Sequence, residues 1–202
     1  MTELELTRRE RKKEETKGRI AEVALELFRK NGVEDTTVEE ICAKADVAKG
    51  TFFNYFPRKE AVFAFLSESW VEAAEQQIAD ALIKGAPAFK KVRDVFVAIA
   101  RFHEEDRVLS KHMALEWTRE KYEPTNELCR RWDALGLHVM QQLQQKGELR
   151  KDVDPARAQR ILEDVYHGTI MQWLESPEPP FPLTDELRKR LDLAVQGLAP
   201  RA

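Results

Sequence analysis

Every strong apolar pattern in this chain repeats with the period of an α-helix, and the helix breakers fall between the patterns. The nine prolines, with Gly32, Gly85 and Gly147, fall between or at the ends of periodic segments, and no alternating β-branched run is long enough to form a strand. That confines the chain to an all-α fold. The first segment, about residues 8–30, carries Ile20, Ala24, Leu27 and Phe28 at the i, i+4, i+7, i+8 spacing of one helix face and stops at Asn31-Gly32. Thr37 and Glu40 then read as a capping box at the start of a short helix over 38–45. The turn Ala45-Asp46-Val47 leads into another short helix, about 48–55, which Pro57 stops. Longer helices are predicted at about 58–84, 88–104, 106–119 and 126–146, broken by Gly85-Ala86-Pro87 and by Pro124 and capped by Gly147. Asp154-Pro155 opens a helix to about residue 175. After four prolines between 177 and 182, Thr184 caps a last helix bearing Leu187, Leu191, Ala194, Val195 and Leu198. The expectation is about nine helices: a compact three-helix unit over 1–57 and a larger helical bundle over 58–202.

Composition narrows the function classes. At 43% hydrophobic and 34% charged, the 202 residues are too apolar for disorder. The longest apolar runs, 61–66 and 95–100, are six residues each, far short of a membrane span. Residues 1–13 mix acids and bases with no apolar stretch, so no secretory signal is read there. Cys42 and Cys129 form neither a metal-ligand spacing nor a disulfide framework. A soluble, cytoplasmic protein without membrane or cofactor is expected. His103 and His112 stand nine residues apart, about 180° out of phase on a straight helix, and so do not converge on a metal. No phosphate-binding glycine loop and no nucleophile elbow is present, so catalysis has no candidate constellation.

Residues 37–56 have the form of two short helices joined by a tight turn, the helix-turn-helix pattern. From Val47 to Lys59 there are three bases (Lys49, Arg58, Lys59) and no acid. A surface that lies against phosphates cannot carry carboxylates, because their repulsion opposes binding. Gly50 and Thr51 are small enough for close backbone approach, and the Asn54 amide can pair with adenine in a major groove. The formal net charge of −3 argues the other way only in bulk. The first 60 residues hold 13 bases and 13 acids, and the whole deficit lies beyond them. Residues 8–19 alone hold seven bases against three acids, which reads either as an arm along DNA or as a solvated helix start.

The stretch from Thr16 to Phe63 resembles the DNA-binding domain of TetR-type transcriptional regulators. The resemblance is carried by Ile20, the Ala24/Phe28 face, Gly32, Thr36-Thr37, Ile41, Ala45, Val47, Lys49-Gly50-Thr51, Tyr55-Phe56 and Lys59-Glu60. It implies that Thr37 holds a phosphate through its hydroxyl and amide. It implies that Lys49, Gly50, Thr51 and Asn54 approach bases or nearby backbone, and that Tyr55 and Lys59 bind phosphates and set register. Two positions depart from the family pattern. Phe53 replaces a usual tyrosine and removes a hydroxyl, and Ala48 replaces a common serine and removes a helix cap.

The resemblance fades beyond residue 63. In TetR-type proteins the C-terminal region dimerises through its last two long helices and holds a small-molecule pocket. Here the matching apolar faces are Ile161, Leu162, Val165 and Thr169 with Leu187, Leu191, Ala194 and Val195. Candidates for the pocket are Phe65, Ser69, Trp70, Phe96, Phe102, His103, Trp117, Trp132 and Tyr166, which combine apolar bodies with polar tips. The reading that follows is a homodimeric repressor on a double-stranded operator, released by a small, mostly apolar effector. The alternatives are an activator, or a helical ligand-binding or scaffold protein with a vestigial helix-turn-helix.

Overall fold

A computed structural model describes residues 7–83, 88–121 and 127–200, with the side chains of Trp70, 81–83, Ala88 and 116–121 left undescribed. The breaks expected at 85–87 and Pro124 lie outside those residues. Within them the chain is helical without strands: α1 (Arg8–Asn31), α2 (Val38–Ala45), α3 (Lys49–Tyr55), α4 (Ala61–Ile83), α5 (Ala88–Glu105), α6 (Arg107–Lys121), α7 (Glu127–Gln145), α8 (Pro155–Glu175) and α9 (Leu183–Leu198). Two compact units divide between Leu66 and Ser67, inside α4 rather than after residue 57.

The first unit closes around Ile20, Phe28, Ile41, Phe52 and Phe56, each 2% exposed or less. Phe28 and Phe63 stack at 5.5 Å, and Phe52 and Phe56 at 5.8 Å. α1 starts one residue after Thr7, whose hydroxyl accepts from Glu10 N while the Glu10 carboxylate takes the Thr7 amide. The basic residues 8–19 are therefore helical from Arg8 onward. Gly32 ends α1 at φ 89° and ψ 157°, a positive-φ conformation outside the left-handed helical well. α4 begins at Ala61, three residues later than its apolar pattern suggests. Residues 58–63 instead make i→i+3 bonds, from Ala61 N to Arg58 O and from Phe63 N to Glu60 O.

The second unit buries one continuous core, including Val95, Phe96, Val139, Leu143, Leu162, Ile170, Leu187 and Leu191. Two charged residues at the α5–α6 junction fasten the α8–α9 corner. Glu104 accepts from Leu183 N at 2.7 Å and from the Thr184 hydroxyl at 2.8 Å. The N-terminus of α9 is thus capped by a carboxylate from α5, with Pro182 at the cap position, and Thr184 does not cap the helix itself. Proline has no side-chain acceptor, so the cap comes from outside the segment. Arg107 donates to Trp173 O and Pro177 O, both at 2.9 Å, and to Ser176 O, with its guanidinium over the Trp173 ring at 5.1 Å. An anion thus meets the start of one helix and a cation the end of another, each the favourable sign for the helix dipole.

Behind Phe96, His103 and Tyr166 share a buried hydrogen bond of 3.1 Å, with the Phe96 and Tyr166 rings 5.1 Å apart. Burial pushes the His103 imidazole down to about 4 and holds the Tyr166 phenol protonated, far above its usual range. The folded chain therefore keeps His103 neutral where the unfolded chain, with an ordinary value near 6.5, takes up a proton. Stability contributed by this burial is present above pH 6.5 and falls as pH drops toward 4, by about 3 kcal/mol over that window. His103→Gln keeps a polar partner for Tyr166 and removes the titration. Urea unfolding at pH 6.5 and pH 4 is expected to show a pH-dependent loss smaller by about that amount in the variant. An equal loss in both proteins contradicts the assignment.

Candidate nucleic-acid interface and cavity

The capping box at the start of α2 is present as its spacing predicts. Glu40 N donates to Thr37 Oγ1 at 3.2 Å, and the Glu40 carboxylate takes both the amide and the hydroxyl of Thr37 at 2.8 Å. The two Thr37 groups expected at a phosphate are thus engaged by Glu40, whose carboxyl they hold below its usual range. α2 ends at Asp46 in the left-handed conformation (φ 51°), and Val47 N returns to Cys42 O at 3.0 Å. Aspartate tolerates that region better than a branched residue does, which suits it to the tight turn.

α3 has seven residues, and Ala48 gives it no side-chain cap. Phe52 is fully buried beneath it. Lys49, Gly50, Phe53 and Asn54 are exposed on the opposite side, with Thr51 and Tyr55 half-buried. Six of the seven expected contact residues lie on α3 or at the start of α2, on one short motif. Lys49 pairs with Glu39 of α2 and holds that carboxyl below its usual range. A Cβ at Gly50 would meet nothing within 4 Å, so no packing inside the chain demands glycine there. Phe53 is 51% exposed, a large apolar ring on a polar face.

Lys59 is placed differently from the expectation. Its ammonium donates to Val33 O at 2.6 Å, Thr36 O at 2.8 Å and Glu34 O at 2.9 Å. An ammonium has three protons, and these three carbonyls take them all. Lys59 is a strut under the α1–α2 turn instead of an open phosphate clamp.

The expected pocket residues separate. Phe65 belongs to the first unit, where it packs against Phe56 at 6.1 Å and lies under the Lys17 ammonium at 4.4 Å. Ser69 is exposed, and the side chains of Trp70 and Trp117 lie outside the described residues. Phe96 and Trp132 do share a wall, edge to face at 5.8 Å, in a cavity of about 30 Å³ in the second unit. His103 and Tyr166 stand behind Phe96, and Phe102 is half-buried beside His103 at 6.1 Å. Ile78, Val92, Leu135, Val139, Met140 and Leu162 complete an apolar lining, interrupted by Gln159 and Glu163. Sequence reasoning missed these two polar residues. Their signal was a polar pair at i, i+4 on the same α8 face as Leu162 and Tyr166.

Among the described residues no helix is long and apolar enough to cross a membrane. The same residues contain no group of three metal-ligating side chains.

The family described as bacterial regulatory proteins of the tetR family matches residues 20–65, and the C-terminal domain of TetR/AcrR family transcriptional repressors matches residues 68–197. The repressor KstR of Mycolicibacterium smegmatis is 24% identical over 91% of this chain and 87% of its own. The uncharacterised regulator YuxN of Bacillus subtilis is 26% identical over 90% of this chain, which spans 64% of that relative's length. In three dimensions, the Thermus thermophilus repressor FadR, solved with lauroyl-CoA, superposes with a TM-score of 0.69 at 29% identity over 92% of this chain and 96% of its own. With matches on both units that together span most of its length, the chain belongs to the TetR family of transcriptional regulators.

Proposed function

We propose that the protein is a homodimeric repressor that sets α3 of each subunit in successive major grooves of a pseudo-palindromic operator and is released by a small, mostly apolar effector bound in the second unit. The acid-free exposed face of α3, held on a buried Phe52, is the observation that carries this reading. The two helices would stand one DNA turn apart, about 34–36 Å. Lys49, Gly50, Thr51 and Asn54 take the base-proximal positions, and Thr37 and Tyr55 the phosphates. Lys59 acts beneath them by holding the turn that carries Thr37. FadR of T. thermophilus, solved with lauroyl-CoA, is a precedent for a ligand bearing a long apolar chain in this fold. α4 is the lever, since it carries Val62 and Phe63 in the core of the first unit and Ile78 on the cavity wall.

The dimer face is narrower than the periodicity suggests. Leu162, Thr169, Leu187 and Leu191 are buried within the subunit, at 2% exposure or less. Ile161 and Leu193 are exposed at 37% and 68%, and Val165, Ala194 and Val195 are half-buried beside them. Those residues of α8 and α9 are the proposed contact. Introducing charge there, as Ile161→Glu with Leu193→Glu, is expected to give a folded monomer by light scattering. A dimer of unchanged mass places the interface elsewhere.

The function is tested by mobility shift on the DNA flanking the protein's own gene, with a specific complex expected at moderate salt. A folded dimer with no specific complex favours a helical ligand-binding protein with a vestigial motif. Gly50→Ala sharpens the same assay. It should stabilise α3 by about 0.5–1 kcal/mol, because glycine is costly inside a helix and the site is open. It should nonetheless weaken operator binding, because the added methyl meets the groove. Tighter or unchanged binding contradicts the close approach. For Lys59→Met, loss of three charge-assisted bonds is expected to cost about 1–3 kcal/mol of stability. Affinity should fall equally for all sequences while the salt dependence keeps its slope. A slope reduced by about one phosphate restores the direct contact.

A further inference from the structure

Among the described residues of the first unit, Phe53 is the one large apolar side chain left exposed. It belongs to α3, on the face that the proposed function sets in the major groove. Lys49 and Gly50 stand four and three residues before it, one helical turn away on the same side, and Asn54 follows it. All three are exposed, and none is acidic. Gly50 contributes no side chain, and the space where its Cβ would stand is open, so nothing from that position covers the ring.

Packing within the chain does not use the outer face of Phe53. Its aromatic partner is its neighbour Phe52, with centroids 5.5 Å apart and planes at 87°. Phe52 is fully buried, so this edge contact seats Phe53 against a fixed ring and leaves its far side in water.

The chemistry of the side chain restricts what it can meet in a groove. Phenylalanine has no hydrogen-bonding group, so it can neither hold a phosphate nor match a donor or acceptor on a base edge. The major-groove edge of the base pairs offers one apolar group, the C5-methyl of thymine.

We infer that Phe53 is a specificity-determining residue whose ring packs on the C5-methyl of one thymine in each half-site. The inference rests on the operator-binding role proposed above and adds an apolar reader to the polar positions named there. Asn54, next in the chain, carries an amide suited to adenine, so both exposed side chains at this end of α3 favour A·T pairs. The contact involves no phosphate, so it contributes discrimination and no salt dependence.

Deoxyuridine tests this, because uracil is thymine without that methyl and keeps the same hydrogen-bonding edge. The probe is the operator recovered by mobility shift, with each thymine of one half-site replaced in turn together with its symmetry mate. Fluorescence anisotropy with the full-length protein reads the affinity. At one position the wild type is expected to lose about fourfold per methyl removed, or about fifteenfold for the symmetric pair. Phe53→Ala should bind the thymine and uracil forms of that position within about twofold of each other, with the salt slope of the wild type. Phe53→Ser should behave in the same way, so the comparison stands where one of the two variants fails to fold. Equal wild-type affinity for every thymine and uracil operator overturns the contact. So does a uracil loss that survives removal of the ring, or a salt slope that falls with it. A folded dimer that binds no operator overturns the repressor reading and this contact with it. An operator bound without regard to the methyl overturns the contact alone.

Discussion

A helix of seven residues with no capping side chain does not hold itself in water, and the presentation of α3 depends on what lies beneath it. Phe52 supplies that hold. It is fully buried, touches Phe53 edge-on at 5.5 Å and Phe56 at 5.8 Å, and Phe56 reaches Phe65 at the start of α4. Burying a phenylalanine contributes roughly 1.5–3 kcal/mol, more than the whole intrinsic preference of so short a segment. The exposed face is thereby freed from any structural duty. It can carry glycine, lysine and asparagine at positions where a self-supporting helix would need alanine or leucine.

The turns that flank α3 obey the same division of labour. The left-handed Asp46 sets the angle between α2 and α3, and the Thr37–Glu40 box fixes where α2 starts. Beneath the turn that carries Thr37, Lys59 gathers three carbonyls that helix ends and loops leave without partners. A cation placed there would oppose the dipole of α2 if it stood free. Held by three carbonyl oxygens, it fastens two stretches of chain that are 23 to 26 residues apart in sequence.

Features decided by neighbours in sequence were legible, and features decided by distant partners were not. The capping box, the turn at Asp46 and the apolar faces of α1 and α8 follow from residues within one or two turns of one another. The cap on α9 comes from Glu104, 79 residues away, so the local signal at Thr184 pointed to the wrong group. Phe65 reads as a pocket aromatic by type alone, but its position places it against Phe56 and Lys17 in the first unit. Half of the expected dimer face proved to be internal core, because a helix stripe shows that a face is covered and not by what.

The cavity and the DNA-facing helix pose one energetic problem under the proposed function. Reversing a repressor from almost fully bound to almost fully free requires an effector preference of about 5.5 kcal/mol between two arrangements of the chain. A cavity near 30 Å³ supplies that preference only if the ligand binds an arrangement with the walls further apart. Ile78 stands on one of those walls, and α4 runs from it without a break to Phe63 in the core that supports α3. Under the proposed function, that helix is the element through which widening the cavity would act on α3.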